Sequence, residues 1–508
     1  MPESGTRQLE MSNWYRHTDL EYYPGGDPKE FRILKIHGGT RGSTIRCEIK
    51  HYPLPEEVHQ DASVDYEALS WTWGHEENAT AIKVISPGGA EKDFPIKKNL
   101  RIALDHLRHQ SEPRNIWVDF ICINQANNSE RAAQVKLMFF IYSKAFNVCI
   151  WLGEAADNST FAVDFVRNQV NDLGRWTKST EEHNKENWAA LAALMDRPWF
   201  SRRWIVQELA LAKKATVHCA DDWMYWTEFE TAVALFDRDA QRLSGYYKGS
   251  KEANFDHDFF GDVAQMGACR LVHLKSNLFR LNEKGHITEY RAKLTDLVSN
   301  LWSFEAQDPH DLIYAILSIA KDTYKRVNIS PRAQQPGDGS QAPDNESVST
   351  PSTEAEQPTM LFGRDRERVE GVFSALRHAV DNRTVFHIDY TQDYFLVCKQ
   401  FLKHVIPATE QHNLDIILRP WSPFKDKVGR RIPLPSWVPT VEQAAFKRQR
   451  VDHAPGGYRM VRTNADPLVG QVTHGSRGSP YNASRAPRSR NHQWKLFPGA
   501  RIDEGLEA

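Results

Sequence analysis

From Phe31 to Cys219 the chain alternates short, dense apolar runs with segments whose apolar residues recur every three or four positions. Dense runs mark strands buried on both faces, and the three-to-four spacing marks helices with one face on a core. Phe31 to Pro53 holds two strand-like runs, FRILKIH and TIRCEIKHY, parted by Gly-Gly-Thr-Arg-Gly-Ser, which predicts a β-hairpin with a longer loop. Tyr66 to Trp73 and Ala81 to Ile85 read as further strands. Leu100, Ala103, Leu104 and Leu107 stand at i, i+3, i+4 and i+7 and predict a helix over Asn99 to Arg108. Ile116 to Ile123 and Val148 to Leu152 have the look of buried parallel strands. Between them Val135, Met138, Phe139 and Tyr142 share a helical face, and Asn127 with Glu130 has capping-box spacing. Strand, helix, strand is by default a right-handed crossover. Helices over Phe161 to Leu173, Asn187 to Asp196 and Arg203 to Lys213, and a last strand at Thr216 to Cys219, complete one α/β domain over residues 31–225, after a tail of residues 1–30.

Helical periodicity then dominates residues 226–329, with Asp308-Pro309 placed as N-cap and first-turn proline for a helix LIYAILSIA. Residues 330–359 hold five Pro, five Ser and no aromatic residue, too little apolar surface to offset chain entropy, so 330–368 is expected to be a disordered insertion. Structure is expected to resume over 369–440, through Phe395 to Val405, LDIIL and LPSWV. The last stretch, 441–508, carries 11 Lys and Arg against 6 Asp and Glu and reads as a flexible basic tail.

Composition narrows the function classes. Of 508 residues, 64 are Lys or Arg and 66 are Asp or Glu, a net charge of -2, so the whole chain has no field that would draw it onto nucleic acid or anionic lipid. The six cysteines are widely spaced and sit in apolar runs, which speaks for reduced core thiols and against a zinc site or a disulfide framework. No basic-then-apolar leader opens the sequence and no 18 apolar residues run together, so the expectation is a cytoplasmic protein without a membrane span. Glycine loops of the Rossmann or P-loop kind, Gly-x-Ser-x-Gly, His-Glu-x-x-His and kinase signatures are missing, which disfavours those enzyme classes; no metal or cofactor is expected.

Three blocks stand out for their specificity. They are Tyr66-Glu-Ala-Leu-Ser-Trp-Thr-Trp-Gly74; Trp117-Val-Asp-Phe-Ile-Cys-Ile-Asn-Gln125 with Glu130-Arg131 and the run from Gln134 to Gly153; and Arg197-Pro-Trp-Phe-Ser-Arg-Arg-Trp-Ile-Val-Gln-Glu208. In this order they resemble the fungal heterokaryon incompatibility (HET) domain. Trp71 stands where the family usually has Tyr, and Phe120 where it has a small residue, which implies local repacking. Asp308-Pro-His-Asp311 with LIYAILSIA, HIDYTQ at 387–392 and LPSWVP at 434–439 look like the family's C-terminal extension. The resemblance implies a role in non-self recognition between fungal cells, leading to programmed cell death through self-association after an unknown incompatibility partner is sensed. HET domains are regarded as remote relatives of Toll/interleukin-receptor (TIR) domains, so the fold expected is a TIR/flavodoxin-like α/β domain with a parallel sheet and an N-terminal β-hairpin, followed by a mostly helical extension. The succession of Asp119, VCIWLG and Trp204-x-x-Gln-Glu208 resembles that of TIR domains, some of which cleave NAD with the glutamate of this helix. The alternative function it implies is therefore an NAD(P)-cleaving glycohydrolase using Glu208, with NAD as substrate.

Each candidate residue carries two readings. Glu208, beside the buried face of WIVQELALA, is either the catalytic carboxylate or the partner of Arg202, Arg203 or Lys213 in a salt bridge. Asp119, at a strand end where open sheets bind ligands, is a ligand residue or a loop cap. Trp73 packs a turn or stacks on a nucleotide ring, and Trp204, with Trp199 and Phe200, staples a loop or stacks on a base. Gln125 offers a polar group beyond the strand; Glu130 reads mainly as a helix cap and Arg131 as a phosphate or carboxylate partner.

Overall fold

The computed structural model describes residues 14–323, with breaks at 24–26, 56–61, 75–78, 171–183, 245–262 and 282–286, and then 386, 388–405, 421–423, 430–434, 440, 446–450 and 458–462. The expected insertion at 330–368 and the runs LDIIL and LPSWV, apart from Leu434, lie outside the described residues.

The hairpin forms as its alternation dictates: β1 (Glu30–Ile36) pairs antiparallel with β2 (Arg46–Pro53), Ile36 opposite Cys47. Next come β3 (Glu67–Ser70), β4 (Ala79–Ile85), β5 (Glu91–Lys97), α1 (Lys98–Leu107) and β6 (Arg114–Trp117). They are followed by α2 (Asp119–Cys122), α3 (Asn128–Lys144), β7 (Asn147–Trp151), α4 (Ser159–Phe165), α5 (Lys185–Met195) and α6 (Ile205–Ala210), with β8 (Ala215–Cys219) and β9 (Asp222–Tyr225) closing the domain. Nine strands make one sheet in the order β5-β4-β2-β1-β6-β3-β7-β8-β9. The fold is α/β as expected, but the sheet is mixed. Its centre, β6-β3-β7-β8, is parallel, and antiparallel hairpins flank it on both sides. The crossover from β6 through α3 to β7 therefore spans β3, which lies between the two strands.

Three readings are corrected here. The apolar run 116–123 is not one strand: β6 ends at Trp117, and the amides of Ile121 and Cys122 turn back onto the carbonyl of Val118 to make α2. The helix expected over 161–173 is α-helical only to Phe165 and continues as a π turn, Val166–Val170. LIYAILSIA is helical only over α10 (Asp311–Tyr314), and the rest continues as buried turns.

Two faces follow from the period of two along β3. Tyr66 and Ser70 point to the side where α3 and α6 lie: the Tyr66 hydroxyl donates to Ile141 O at 2.7 Å. Glu67 points the other way into a polar row, bound by Arg114 and by Asn147 Nδ2 at 2.9 Å, which in turn donates to Thr216 at 2.9 Å. Sequence reading missed this row because its members come from four separate strands.

Beyond the sheet, α7 (Trp226–Ser244) and α8 (Gly267–Leu278) pack together, followed by a small hairpin, β10 (Phe279–Leu281) with β11 (Ile287–Tyr290), by α9 (Leu294–Asn300) and α10, and by α11 (Tyr394–Val405). A Cβ on Gly267 would lie 2.3 Å from Phe200 O, so only glycine lets α8 approach the RPWF loop this closely. The tail expected to be flexible contains β12 (Phe446–Arg450) paired antiparallel with β13 (Tyr458–Arg462). All six cysteines are buried and unbridged, and among the described residues no helix is long and apolar enough to cross a membrane.

Candidate functional site at the carboxyl edge of the parallel strands

The segments after β3 and β6 leave the sheet at the same edge and meet the RPWF loop and the start of α3. Together with residues 305–311 and Tyr390 they enclose a cavity of about 540 Å³. Five of the six site residues predicted from sequence line it: Trp73, Asp119, Gln125, Arg131 and Trp204. The sixth, Glu208, does not.

Asp119 is the hub of one wall. The Trp71 indole donates to its Oδ1 at 2.8 Å, the Trp73 indole to its Oδ2 at 2.9 Å, and the Phe120 amide to Oδ1 at 2.7 Å. Gln125 Nε2 adds a bond to the Asp119 carbonyl at 2.9 Å. The carboxylate thus accepts from the first turn of α2 and fixes two indoles stacked with centroids 6.2 Å apart. Phe120 stands edge-on to Trp73 at 5.2 Å, which is how the bulky residue at this position is repacked. Gly74 ends the block at φ 67°, a turn that side-chain-bearing residues seldom adopt.

Glu130 and Arg131 separate. Asn127 caps α3, accepting from the Ser129 and Glu130 amides, but the Glu130 side chain does not return to it. Instead it pairs with Arg32, which is 0% exposed, at 2.5 Å, and it accepts from the Asn124 amide at 2.8 Å. The reading of Glu130 as mainly a cap is corrected: it neutralises a buried cation. Arg131 turns into the cavity and stacks on Tyr390 at 4.1 Å.

The carboxylate of Glu208 is 2% exposed. The short helix α6 is buried on nearly all sides, not on one, because β3, α3 and α8 surround it. Its carboxylate accepts from Ser70 Oγ, and Ser70 Oγ accepts from the Trp199 indole at 2.7 Å. Burial pushes Glu208 up to about 7, against the pull of the Arg202 charge and the Ser70 hydroxyl. The salt-bridge alternative takes a different form from that expected. Arg202 donates to Trp71 O, and Arg203, 1% exposed, donates to the carbonyls of Leu301 and Leu312 at 2.6 Å each. With carbonyls alone as acceptors, burial pulls Arg203 down to about 9. Arg203 therefore clamps the helical region to the sheet domain, assisted by a bond from its amide to Glu305 O at 2.8 Å.

Residues 305–311 supply acids that the three sequence blocks did not point to. Asp308 lies 2.6 Å from His310 Nδ1, and although burial opposes its charge, His310 holds its carboxyl below the ordinary range. Asp311 accepts from the Tyr390 hydroxyl at 2.7 Å and from the Trp204 indole; burial and the Asp308 charge push it up to about 6. Among the described residues no three His, Cys, Asp or Glu side chains gather as a metal site requires.

The site thus defines an α/β domain whose sheet edge carries a Trp-Trp-Asp hub, closed by an RPWF loop and a clamped helical region. Residues 66–208 match the sequence profile of the family described as Heterokaryon incompatibility protein (HET). The chain is also 30% identical over 196 residues to Heterokaryon incompatibility protein 6, OR allele, of Neurospora crassa, an alignment covering 30% of this chain and 28% of that protein. It thus spans little more than a quarter of that relative. No solved structure matches. Residues 66–208 are thus similar to the HET domain.

Proposed function

We propose that this chain acts in fungal heterokaryon incompatibility, with its HET domain passing a non-self signal to programmed cell death by self-association in the cytoplasm. The observation that carries this reading is the convergence of all three signature blocks on one wall, around Asp119 and its two indoles. The Neurospora relative, named for incompatibility, supports it. The region clamped by Arg203 stands where it can restrain the domain until a partner displaces it. The test is inducible expression of the full chain in a filamentous fungus, scored by hyphal dye uptake, beside light scattering of the purified protein. Cell death that weakens in Asp119→Ala, together with oligomers in solution, is the expected result. Normal growth at matched expression would overturn it.

The NAD-cleaving alternative draws on one observation, a cavity with indole walls at the carboxyl edge of a parallel sheet. Its TIR kinship rests on the succession of Asp119, VCIWLG and Glu208 alone. For Glu208 to touch a substrate, its carboxylate would first have to leave Ser70. NAD turnover by the full chain that disappears in Glu208→Gln would carry this reading, and its absence in a folded oligomer would end it.

A further inference from the structure

The cavity wall holds seven charged side chains, and they differ in how they are already used. Asp119 takes three N–H donors, Asp308 is held by His310, and Asp311 by Tyr390 and Trp204. Glu305 is exposed to solvent. Arg203 is spent on two backbone carbonyls, and Arg202 places one donor on Trp71 O. Arg131 is the least engaged of the three cations. Its side chain is 22% exposed, its plane is backed by the Tyr390 ring, and it lies 4.0 Å from Asp308, beyond hydrogen-bond reach, with the Asp311 charge also acting on it. Its buried Nε has no acceptor among the described residues. A guanidinium with a rigid fork of donors, oriented by an aromatic face and facing a cavity, is the group that recognises carboxylates and phosphates.

The rest of the wall states what such an anion would carry. Trp73, Trp204, Ile123, Val135 and Met138 offer indole and aliphatic surface, and the volume suits a molecule of mononucleotide size. We propose that this cavity is a binding site for a small organic oxyanion, its carboxylate or phosphate held by Arg131 and its apolar ring lodged against the tryptophans. The site is composite. Arg131 comes from the HET domain, while Tyr390, which orients it, belongs to the extension, so ligand binding ties the two regions together. The proposal is independent of self-association and of NAD cleavage.

The test uses the full-length protein in two matched pairs of probes, AMP with adenosine and indole-3-acetate with indole-3-acetamide, titrated by calorimetry. The expected result is that at least one acid binds tenfold or more tightly than its neutral partner. A preference within the first pair assigns phosphate, and within the second, carboxylate. Arg131→Gln abolishes the preference and Arg131→Lys restores part of it. A second measurement needs no variant: phenylglyoxal modifies Arg131 faster than Arg32 or Arg203, and the preferred acid protects it. No acid outbinding its neutral partner, a preference that survives in folded Arg131→Gln, or Arg131 as slow to react as Arg32, would each overturn the proposal.

Discussion

Glu130 and Arg131 are neighbours in the first turn of α3, yet one helical step sends them into opposite environments. Glu130 enters the buried interior, where Arg32 also donates to Thr18 O at 2.6 Å and to Cys122 O at 3.1 Å. Arg131 enters a cavity, with an aromatic ring behind it and no acceptor for its Nε among the described residues. The difference teaches that a signature dipeptide can combine a strut and a recognition group. The strut ties the first turn of α3 to the hairpin strand β1, and the other residue remains available for chemistry.

The largest effect should come from breaking the strut. Arg32→Ala or Glu130→Ala leaves a buried charge unpaired and is expected to cost about 3–5 kcal/mol in urea unfolding, whereas Arg32→Met with Glu130→Leu recovers most of it. A single-variant cost below about 1 kcal/mol would erase the distinction between the two neighbours. The next effect concerns pH. The folded-state value for Glu208 lies near 7 and its unfolded value near 4.5, so the native state holds the extra proton between them, and this residue's contribution falls as pH rises through that window. Glu208→Gln should remove a fall on the order of 3 kcal/mol between about pH 4.5 and 7. Unfolding curves of wild type and variant that stay parallel across this window would mean that the carboxylate is not sealed.

Arg203→Leu should follow, at about 2 kcal/mol, because it strips two buried carbonyls of their donors. Limited proteolysis is the sharper readout, with first cuts at residues 300–323 in the variant and elsewhere in the wild type. The smallest effect is expected of Arg131→Gln, which loses a ring contact worth about 0.5–1 kcal/mol. A larger loss of stability would make Arg131 a second strut and end the contrast with Glu130.

Much of this was legible in the chain. The hairpin, the α3 periodicity and the strand at Val148 follow from local patterns of side-chain burial, and the three blocks named five residues that do meet at one cavity. The readings that failed depended on partners distant in sequence. Periodicity put Glu208 beside a buried face, but only the packing of β3, α3 and α8 around a six-residue helix shows that it is enclosed. Glu130 has the spacing of a cap, and nothing local reveals that Arg32 lies across from it. Asp119 stands where a strand would end, yet the two indoles that occupy its carboxylate come from the preceding block. Tyr390 could not be linked to Arg131 from sequence, because their contact joins regions far apart in the chain.

The place of β3 in the sheet has a consequence for how the chain comes to be. Ala68 pairs with Trp117 on one side and Val148 on the other, both synthesised well after it. As the polypeptide leaves the ribosome, β3 emerges with both edges open and with the motif that organises the cavity still unsupported. Closure of the central sheet must wait for β7, so the nascent domain passes through a period with unpaired strand edges, when aggregation competes with folding. Substitutions that slow α3, the connection from β6 to β7, should therefore lower the yield of soluble protein more than the stability of what does fold.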